Sequence, residues 1–236
     1  VVLPQEVEAE LRTMFVPQPQ VPRWWWNTMA RISPDLPYFA TRRLLYVVDN
    51  NVGFQREYFR QLARVIRDID VYWWCHSTIN IGRDKEILEH LRDSRCIAVN
   101  IGFESLDRDD LRAMGKPFNR PDEYADLIAR IHEHDIGIMA TFIIGRDSDT
   151  PETFERIVEF CERTKLDWAI ALILAPLPDT RSFDKLKEEG RLLTEDWSRY
   201  DNIHCIHQPA QMTPEEVERG FIWTWKRIFS LRSIYR

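Results

Sequence analysis

The sequence has few cysteines, and their spacing fits none of the common metal-binding motifs. The four cysteines among its 236 residues are Cys75, Cys96, Cys161 and Cys205, and they form neither a CxxC nor a CxxxCxxC pattern. Scattered cysteines of this kind are typical of buried free thiols and not of disulfides or metal ligands. We therefore predict no metal ligands among the residues of this chain.

Several catalytic and phosphate-binding motifs are also absent. The sequence contains no GxGxxG and no GxxxxGK[ST], so a glycine-rich phosphate cradle is not indicated. It contains neither the GxSxG of a nucleophile elbow nor the HExxH of zinc proteases. A ligand of this protein is therefore expected to be held by side chains and strand ends.

Net charge and the length of apolar runs argue against two classes of protein, nucleic-acid-binding and membrane-spanning. The net charge of −6 argues against a nucleic-acid-binding surface, which needs clustered Lys and Arg. No apolar run approaches the roughly 20 residues that a membrane span needs. There is no signal-peptide pattern, and a cytoplasmic location is expected. Because the chain starts at Val1 and not at Met, we expect it to be an excerpt of a longer protein.

From residue 44 onward, strand-like and helix-like segments alternate. The pattern predicts strands at 44–48, 71–79, 96–103, 137–144 and 168–175, and helices at 54–68, 84–94, 107–114, 121–135, 150–164 and 181–189. Asp84 and Thr150 are expected to cap two of these helices, and Gly190 to end the last. Nearly continuous apolar strands indicate a parallel sheet buried on both faces by crossover helices. The pattern leaves open whether the sheet is doubly wound or forms a full or partial barrel.

The two ends of the chain differ from this repeating region. Residues 5–14 predict a short helix, and residues 15–43 form an insertion rich in proline and tryptophan. The tail ends in a helix from Pro214, whose apolar stripe is interpreted as core packing. Its members are Val217, Phe221, Trp225 and Ile228. We therefore divide the chain into an N-terminal helix and insertion (1–43), a repeating α/β region (44–190) and a C-terminal helical extension (191–236).

Each predicted strand ends in polar residues. In parallel β/α folds, ligands bind at the carboxyl ends of the strands, so these residues are expected to line one mouth. Carboxylates and amides there suit the amino group and ribose hydroxyls of an amino-acid nucleoside better than a phosphorylated sugar. The polar residues after the five strands include Asp49 and Asn50, then His76 and Ser77, then Asn100 and Glu104, then Arg146 and Asp149, and finally Asp179 and Thr180.

Several separate blocks resemble one enzyme family. The blocks are "YVVDNNVGF", "STINI", "IAVNIGFESLDRDDLRAMGK", "IMATFIIGRDSDTPETFERIVEFC" and "LAPLPDTRSFDKLKEEGRLLTEDWSRYD", followed by "MTPEEVERGFIWTWKRIFSLRSI". In order and spacing they resemble radical S-adenosylmethionine (radical SAM) enzymes over residues 44–236. The most similar subgroup carries an upstream cobalamin-binding domain and includes hopanoid-modifying methylases. The resemblance implies an α/β fold, a partial (β/α)6 TIM-like barrel with a C-terminal helical extension, of which this chain would hold strands two to six.

The resemblance also implies a SAM site. Asp49 and Asn50 match the position that binds the SAM amino group, whereas Ser77 and Glu104 match contacts to the ribose and methionine part. Lys116 falls near a basic residue for the SAM carboxylate. Ile144 and Gly145, with Ile143 before them, match the strand that flanks adenine, and Leu174 matches the adenine contact of the last strand. Alternatively, Asp49 caps the following helix and Glu104 pairs with Arg146 or Lys116.

The family's cluster motif is missing from this chain. A [4Fe–4S] cluster needs thiolates that converge on one small cubane, and the spacing of these four cysteines cannot provide them. If the family function holds, a CxxxCxxC motif lies upstream of Val1. SAM, the cluster and cobalamin on an upstream domain would then serve radical C–H functionalisation such as methyl transfer. The expected partners are a small-molecule or lipid-like substrate and an electron donor such as flavodoxin or ferredoxin.

Two other functions remain open from the residues alone. One is a module that binds SAM or a nucleoside without a cluster and without redox activity. The other is a β/α lyase or hydrolase that uses Asp49 and Glu104 as acid and base. A zinc site at His204, Cys205 and His207 is disfavoured because no further ligand cluster is visible. No residue of the chain is assigned a catalytic role.

Overall fold

The computed structural model describes residues 44–48, 51–53, 55–69 and 71–234. The predicted helix at 5–14, the insertion at 15–43, Asp49 and Asn50 lie outside these residues. The strands are β1 (Leu44–Val47), β2 (Tyr72–Ser77), β3 (Cys96–Glu104), β4 (Gly137–Ile144) and β5 (Trp168–Ile173). The helices are α1 (Arg56–Ile69), α2 (Lys85–Asp93), α3 (Arg108–Ala113), α4 (Tyr124–His132), α5 (Pro151–Thr164), α6 (Arg181–Glu188), α7 (Pro214–Ile228) and α8 (Leu231–Ile234).

The predicted alternation of strands and helices is confirmed. Asp84 caps α2, since its side chain accepts a hydrogen bond from the Ile87 amide at 3.3 Å. Thr150 is the N-cap residue of α5, and its amide donates to the Thr153 hydroxyl at 3.1 Å. Gly190 follows α6 with a positive φ of 67°. The segment predicted as one helix at 121–135 instead begins with a 3₁₀ turn, Pro121–Glu123, before α4.

The strands form one five-stranded sheet in the order β1-β2-β3-β4-β5. The β1–β2 and β4–β5 pairs are parallel, as expected for strands joined by crossover helices. Among the described residues, the prediction that both faces are buried holds for one face and not for the other. Side chains of β2 and β4 alternate between fully buried and half-buried positions, so the described residues cover one face more completely than the other.

The described residues divide into two compact units, one made of those between 44 and 100 together with 130–138, and one made of 101–129 together with 139–234. In the first unit, α1 and α2 bury their apolar faces, and Trp73 of β2 is fully buried. The indole Nε1–H of Trp73 donates to the Ser94 carbonyl at 3.0 Å. The hydrogen bond removes the cost of burying that polar group.

The second unit has an aromatic core. The centroid of the Phe103 ring lies 4.8 Å from that of Tyr124, 5.6 Å from that of Phe142 and 5.9 Å from that of Phe160. Phe103 sits between Gly102 and Glu104, so this packing fixes the end of β3 from its buried side.

Helix α7 packs within the second unit. Val217, Phe221 and Ile228 are buried, which confirms core packing for these members of the stripe. Trp225 is half-buried, and its Nε1–H donates to the Ala171 carbonyl at 3.0 Å. Among the described residues, no helix combines the length and hydrophobicity that crossing a membrane requires.

Candidate functional site

Glu104 ends β3 in a conformation that turns its carboxylate back over the strand. Its φ of 64° is in the left-handed region, which non-glycine residues adopt rarely. A Cβ at Gly102 would lie 2.3 Å from the Glu104 Oε1 atom, so only glycine leaves room for the carboxylate. The position of the Glu104 carboxylate in "IGFE" therefore depends on the glycine two residues before it.

Lys116 lies against this carboxylate. Its Nζ atom is 2.5 Å from Glu104 Oε1, and the exposed fractions of the Lys116 and Glu104 side chains are 37% and 16%. Of the pairings weighed from the sequence, the structure therefore shows Glu104 with Lys116. Together with burial, the negative charge of Glu104 raises the pKa of nearby Tyr124 well above its ordinary value. The end of β3 thus presents one anionic and one cationic group side by side.

Arg146 takes part in a separate buried network after β4. Its Nη2 atom lies 2.8 Å from Asp149 Oδ1, and its Nη1 atom lies 3.1 Å from Asp110 Oδ2. The Ser105 hydroxyl donates to Asp110 at 3.0 Å. The Nη1 contact satisfies the distance of an ion pair but not the angle of a hydrogen bond. Arg146 and Asp149 thus hold the loop together, and sequence analysis missed Asp110 because its partner lies far along the chain.

Gly145 continues β4 with a positive φ of 84°, and a Cβ there would lie 3.1 Å from Val217 Cγ1. Its carbonyl oxygen lies 2.7 Å from the Nε2 atom of buried His207. Ile144 has a fully buried side chain, and its carbonyl accepts the Leu174 amide at 2.8 Å. The structure therefore joins Leu174 to the backbone of Ile144, directly before Gly145, while the Ile144 side chain is directed into the core.

Ser77 belongs to the first unit. It is buried at the end of β2, and its hydroxyl lies 3.4 Å from Asn51 Oδ1. On the less buried face of the sheet, Tyr46 of β1 stacks on Trp74 of β2, with ring centroids 4.8 Å apart. The Tyr46 hydroxyl is hydrogen-bonded to His76 Nε2. This unit therefore offers an aromatic face with a polar edge.

The described residues contain no group of three or more His, Cys, Asp or Glu side chains arranged to hold a metal ion. All four cysteines are free and buried. Burial raises the pKa of the Cys205 thiol to about 11 and also raises that of Cys96. Cys75 and Cys96 interact, but the described residues bring no three cysteines together, as a [4Fe–4S] cluster requires. His204 is bonded to Asp201 at 2.8 Å and gives no support to a zinc site.

These features define a class of protein: an α/β fold of alternating strands and helices, with charged residues and glycines at the carboxyl ends of its strands. The fold is similar to that of a solved protein, the radical SAM methyltransferase TsrM from Kitasatospora setae, determined with cobalamin and a [4Fe–4S] cluster bound. The TM-score is 0.55 at 19% identity, over 75% of this chain and 37% of TsrM.

Sequence relatives agree with this likeness. The bacteriochlorophyllide d C-12(1)-methyltransferase of Chlorobaculum tepidum is 29% identical over 189 residues, 80% of this chain and 41% of the relative. The hopanoid C-2 methylase of Rhodopseudomonas palustris is 33% identical over 171 residues, 70% of this chain and 32% of the relative. The chain thus spans well under half of the length of these relatives.

The model of the radical SAM superfamily matches residues 40–161, just over half of the chain. The chain belongs to the radical SAM superfamily. The family, the α/β fold and the similarity to cobalamin-dependent radical SAM methyltransferases, all expected from the sequence motifs, are confirmed.

Proposed function

We propose that this chain is the SAM-binding core of a radical SAM methyltransferase that uses cobalamin. The observation that carries the proposal is the Glu104–Lys116 pair at the end of β3 in a chain of this superfamily. SAM carries an α-ammonium and an α-carboxylate on its methionine part. A neighbouring carboxylate and ammonium in the protein match these two charges with opposite signs.

The donor set fits SAM in further respects. Glu104 is mostly buried, so its interaction with an ammonium is less screened than at an open surface. Gly145 has a φ of 84°, which glycine tolerates, and the position of its missing Cβ is filled by Val217 Cγ1 at 3.1 Å, so this residue sets the backbone path at the end of β4. In this proposal Glu104 holds the amino group and Lys116 the carboxylate, while Gly145 and Leu174 flank adenine. Ser77, Asp49 and Asn50 remain proposed contacts of the ribose and amino group.

The chain's own residues do not fit the [4Fe–4S] cluster, because the buried cysteines form no convergent thiolate set. We therefore propose that the cluster ligands and the cobalamin-binding domain lie in other parts of the full-length protein. The role of this chain is to bind and orient SAM and to exclude water from it. An electron donor such as flavodoxin or ferredoxin and a cytoplasmic location belong to the same proposal.

The substrate is proposed to be a small, mostly apolar or lipid-like molecule. The two relatives are named for methylating a bacteriochlorophyllide and a hopanoid. The stacked Tyr46 and Trp74 rings on the half-exposed face of the first unit supply the contact chemistry that suits an apolar ring system.

Reductive cleavage of SAM tests the proposed function. The full-length protein would be reconstituted with iron and sulfide without oxygen, reduced with dithionite and given SAM. We expect 5′-deoxyadenosine to form, and Lys116→Met to raise the SAM concentration needed for half-maximal formation. A protein that binds SAM but forms no 5′-deoxyadenosine would instead be a binding module. A protein that fails to bind SAM would contradict the proposal altogether.

A further inference from the structure

The C-terminal extension holds the loop that follows β4. His207 lies 2.7 Å from the Gly145 carbonyl oxygen, which can only accept, so Nε2 carries the hydrogen and donates. Arg191 donates from Nη1 to Asp147 Oδ2 at 3.0 Å, and the Ala210 amide donates to Asp147 Oδ1 at 3.2 Å. Residues beyond position 190 thereby fix two positions of the loop.

The peptide group between Gly145 and Arg146 is fixed at both of its polar atoms. Its carbonyl accepts from His207, and its N–H donates to Asp149 Oδ2 at 2.9 Å. A planar trans peptide points these two groups in opposite directions, so the two partners hold it from opposite sides. His207 and Asp149 are each only 1% exposed. Rotating this peptide would leave buried polar groups unpaired, which is costly.

Gly145 itself is held in the conformation that this peptide requires. Its φ of 84° is open to glycine, and Val217 of α7 lies 3.1 Å from where a Cβ would be. With the hydrogen on Nε2, the buried Nδ1 atom of His207 is an acceptor, and among the described residues it has no hydrogen-bond partner. Two residues of the C-terminal extension, His207 and Val217, therefore pack against Gly145.

We infer that His207 is a positioning residue for the adenine end of SAM. It acts on the affinity for that end by holding the Gly145 carbonyl, and with it the backbone of Gly145, in place. The inference rests on the proposed function, in which Gly145 flanks adenine. His207 contacts the backbone of the subsite and leaves the methionine end to Glu104 and Lys116. Loss of His207 therefore changes the affinity for the nucleoside part of SAM and spares the methionine part.

The test measures ligand affinity in the full-length protein by isothermal titration calorimetry. The probes are S-adenosylhomocysteine, 5′-deoxyadenosine and methionine. The variants are His207→Leu, which removes the donor, and His207→Gln, which keeps an N–H at a similar reach. The matched control is His204→Leu in the same extension, because the His204 side chain is 44% exposed and hydrogen-bonds, among the described residues, to exposed Asp201.

We expect His207→Leu to weaken S-adenosylhomocysteine and 5′-deoxyadenosine about tenfold, the effect of one buried hydrogen bond. Methionine affinity stays unchanged, His207→Gln recovers most of the loss, and the control binds as the parent protein does. Equal weakening of all three probes, or none, would overturn the inference while the proposed function stands. If His207→Leu does not fold, Gly145→Ala decides, because its Cβ would lie 3.1 Å from Val217 Cγ1 and disturb the held peptide: unchanged nucleoside affinity in that variant overturns the inference. If the parent protein binds no S-adenosylhomocysteine, the proposed function fails, and the inference fails with it.

Discussion

Substitution of Gly102 by alanine should change the ligand affinity of the candidate site and leave the stability of the fold nearly unchanged. The new methyl group would lie 2.3 Å from Glu104 Oε1 and 3.2 Å from Cδ, so the carboxylate must move by about 1 Å to reach ordinary contact. The atom in the way is the free end of a flexible side chain, and the backbone of β3 can stay in place. The expected result is a displaced carboxylate within an intact strand.

The magnitudes follow from the geometry. A charge-assisted hydrogen bond contributes about 1.5–3 kcal/mol, so losing the one proposed between Glu104 and the SAM amino group lowers affinity roughly 10- to 150-fold. The Glu104–Lys116 pair contributes about 1 kcal/mol or less to folding, because the Lys116 side chain is 37% exposed. For a chain of this size we expect Tm to change by about 4 °C or less.

The assay combines calorimetric titration of S-adenosylhomocysteine with thermal unfolding. A double-mutant cycle provides the control: in a Glu104→Ala background, Gly102→Ala should have no further effect on affinity. Unchanged affinity in the single Gly102→Ala variant would refute the role of Glu104. A large fall in Tm would refute the claim that only the side chain must move.

Three further predictions concern stability. Asp149→Asn leaves buried Arg146 short of a charge partner and should cost about 3 kcal/mol in chemical denaturation, whereas Asp109→Asn, at an 87% exposed side chain, should cost less than about 0.5 kcal/mol. Gly220→Ala should destabilise the protein by about 2 kcal/mol despite the better helix propensity of alanine, because its Cβ would lie 2.1 Å from the Phe154 ring; a more stable variant by thermal unfolding would contradict the close packing of α7 on α5. Burial lowers the pKa of His207 below its ordinary value; the positive charge of Arg191 acts in the same direction, whereas the hydrogen bond to Gly145 and the charge of Asp147 oppose it with smaller effects. The unfolded chain therefore binds the proton more readily than the folded chain, so the free energy of unfolding should fall as pH drops below about 6.5. Denaturation midpoints from pH 8 to pH 5 should fall less steeply in His207→Gln, and parallel curves would contradict this assignment.

Sequence periodicity was sufficient to predict the strands and most helices, because the elements bury regular apolar faces and carry ordinary caps. Among the described residues, the prediction that both sheet faces are buried holds for one face only, since near-continuous apolar strands here leave the other half-buried. Apolar composition alone does not distinguish a covered face from one that is left for a ligand.

The candidate site was predictable where its parts are local. "IGFE" places the glycine two residues before the carboxylate that needs its space, and the structure shows this contact directly. Links such as that between Gly145 and His207, which lie 62 residues apart, depend on tertiary packing and leave no signal in a local pattern. The same is true of the Asp110 contact to Arg146.

The most direct test of the central claim is a crystal structure of the full-length protein with S-adenosylhomocysteine bound. The account predicts the amino nitrogen of the ligand about 3 Å from the Glu104 carboxylate, its carboxylate at Lys116 and its adenine beside Gly145. A ligand bound away from the end of β3, with Glu104 still closed on Lys116, would contradict it.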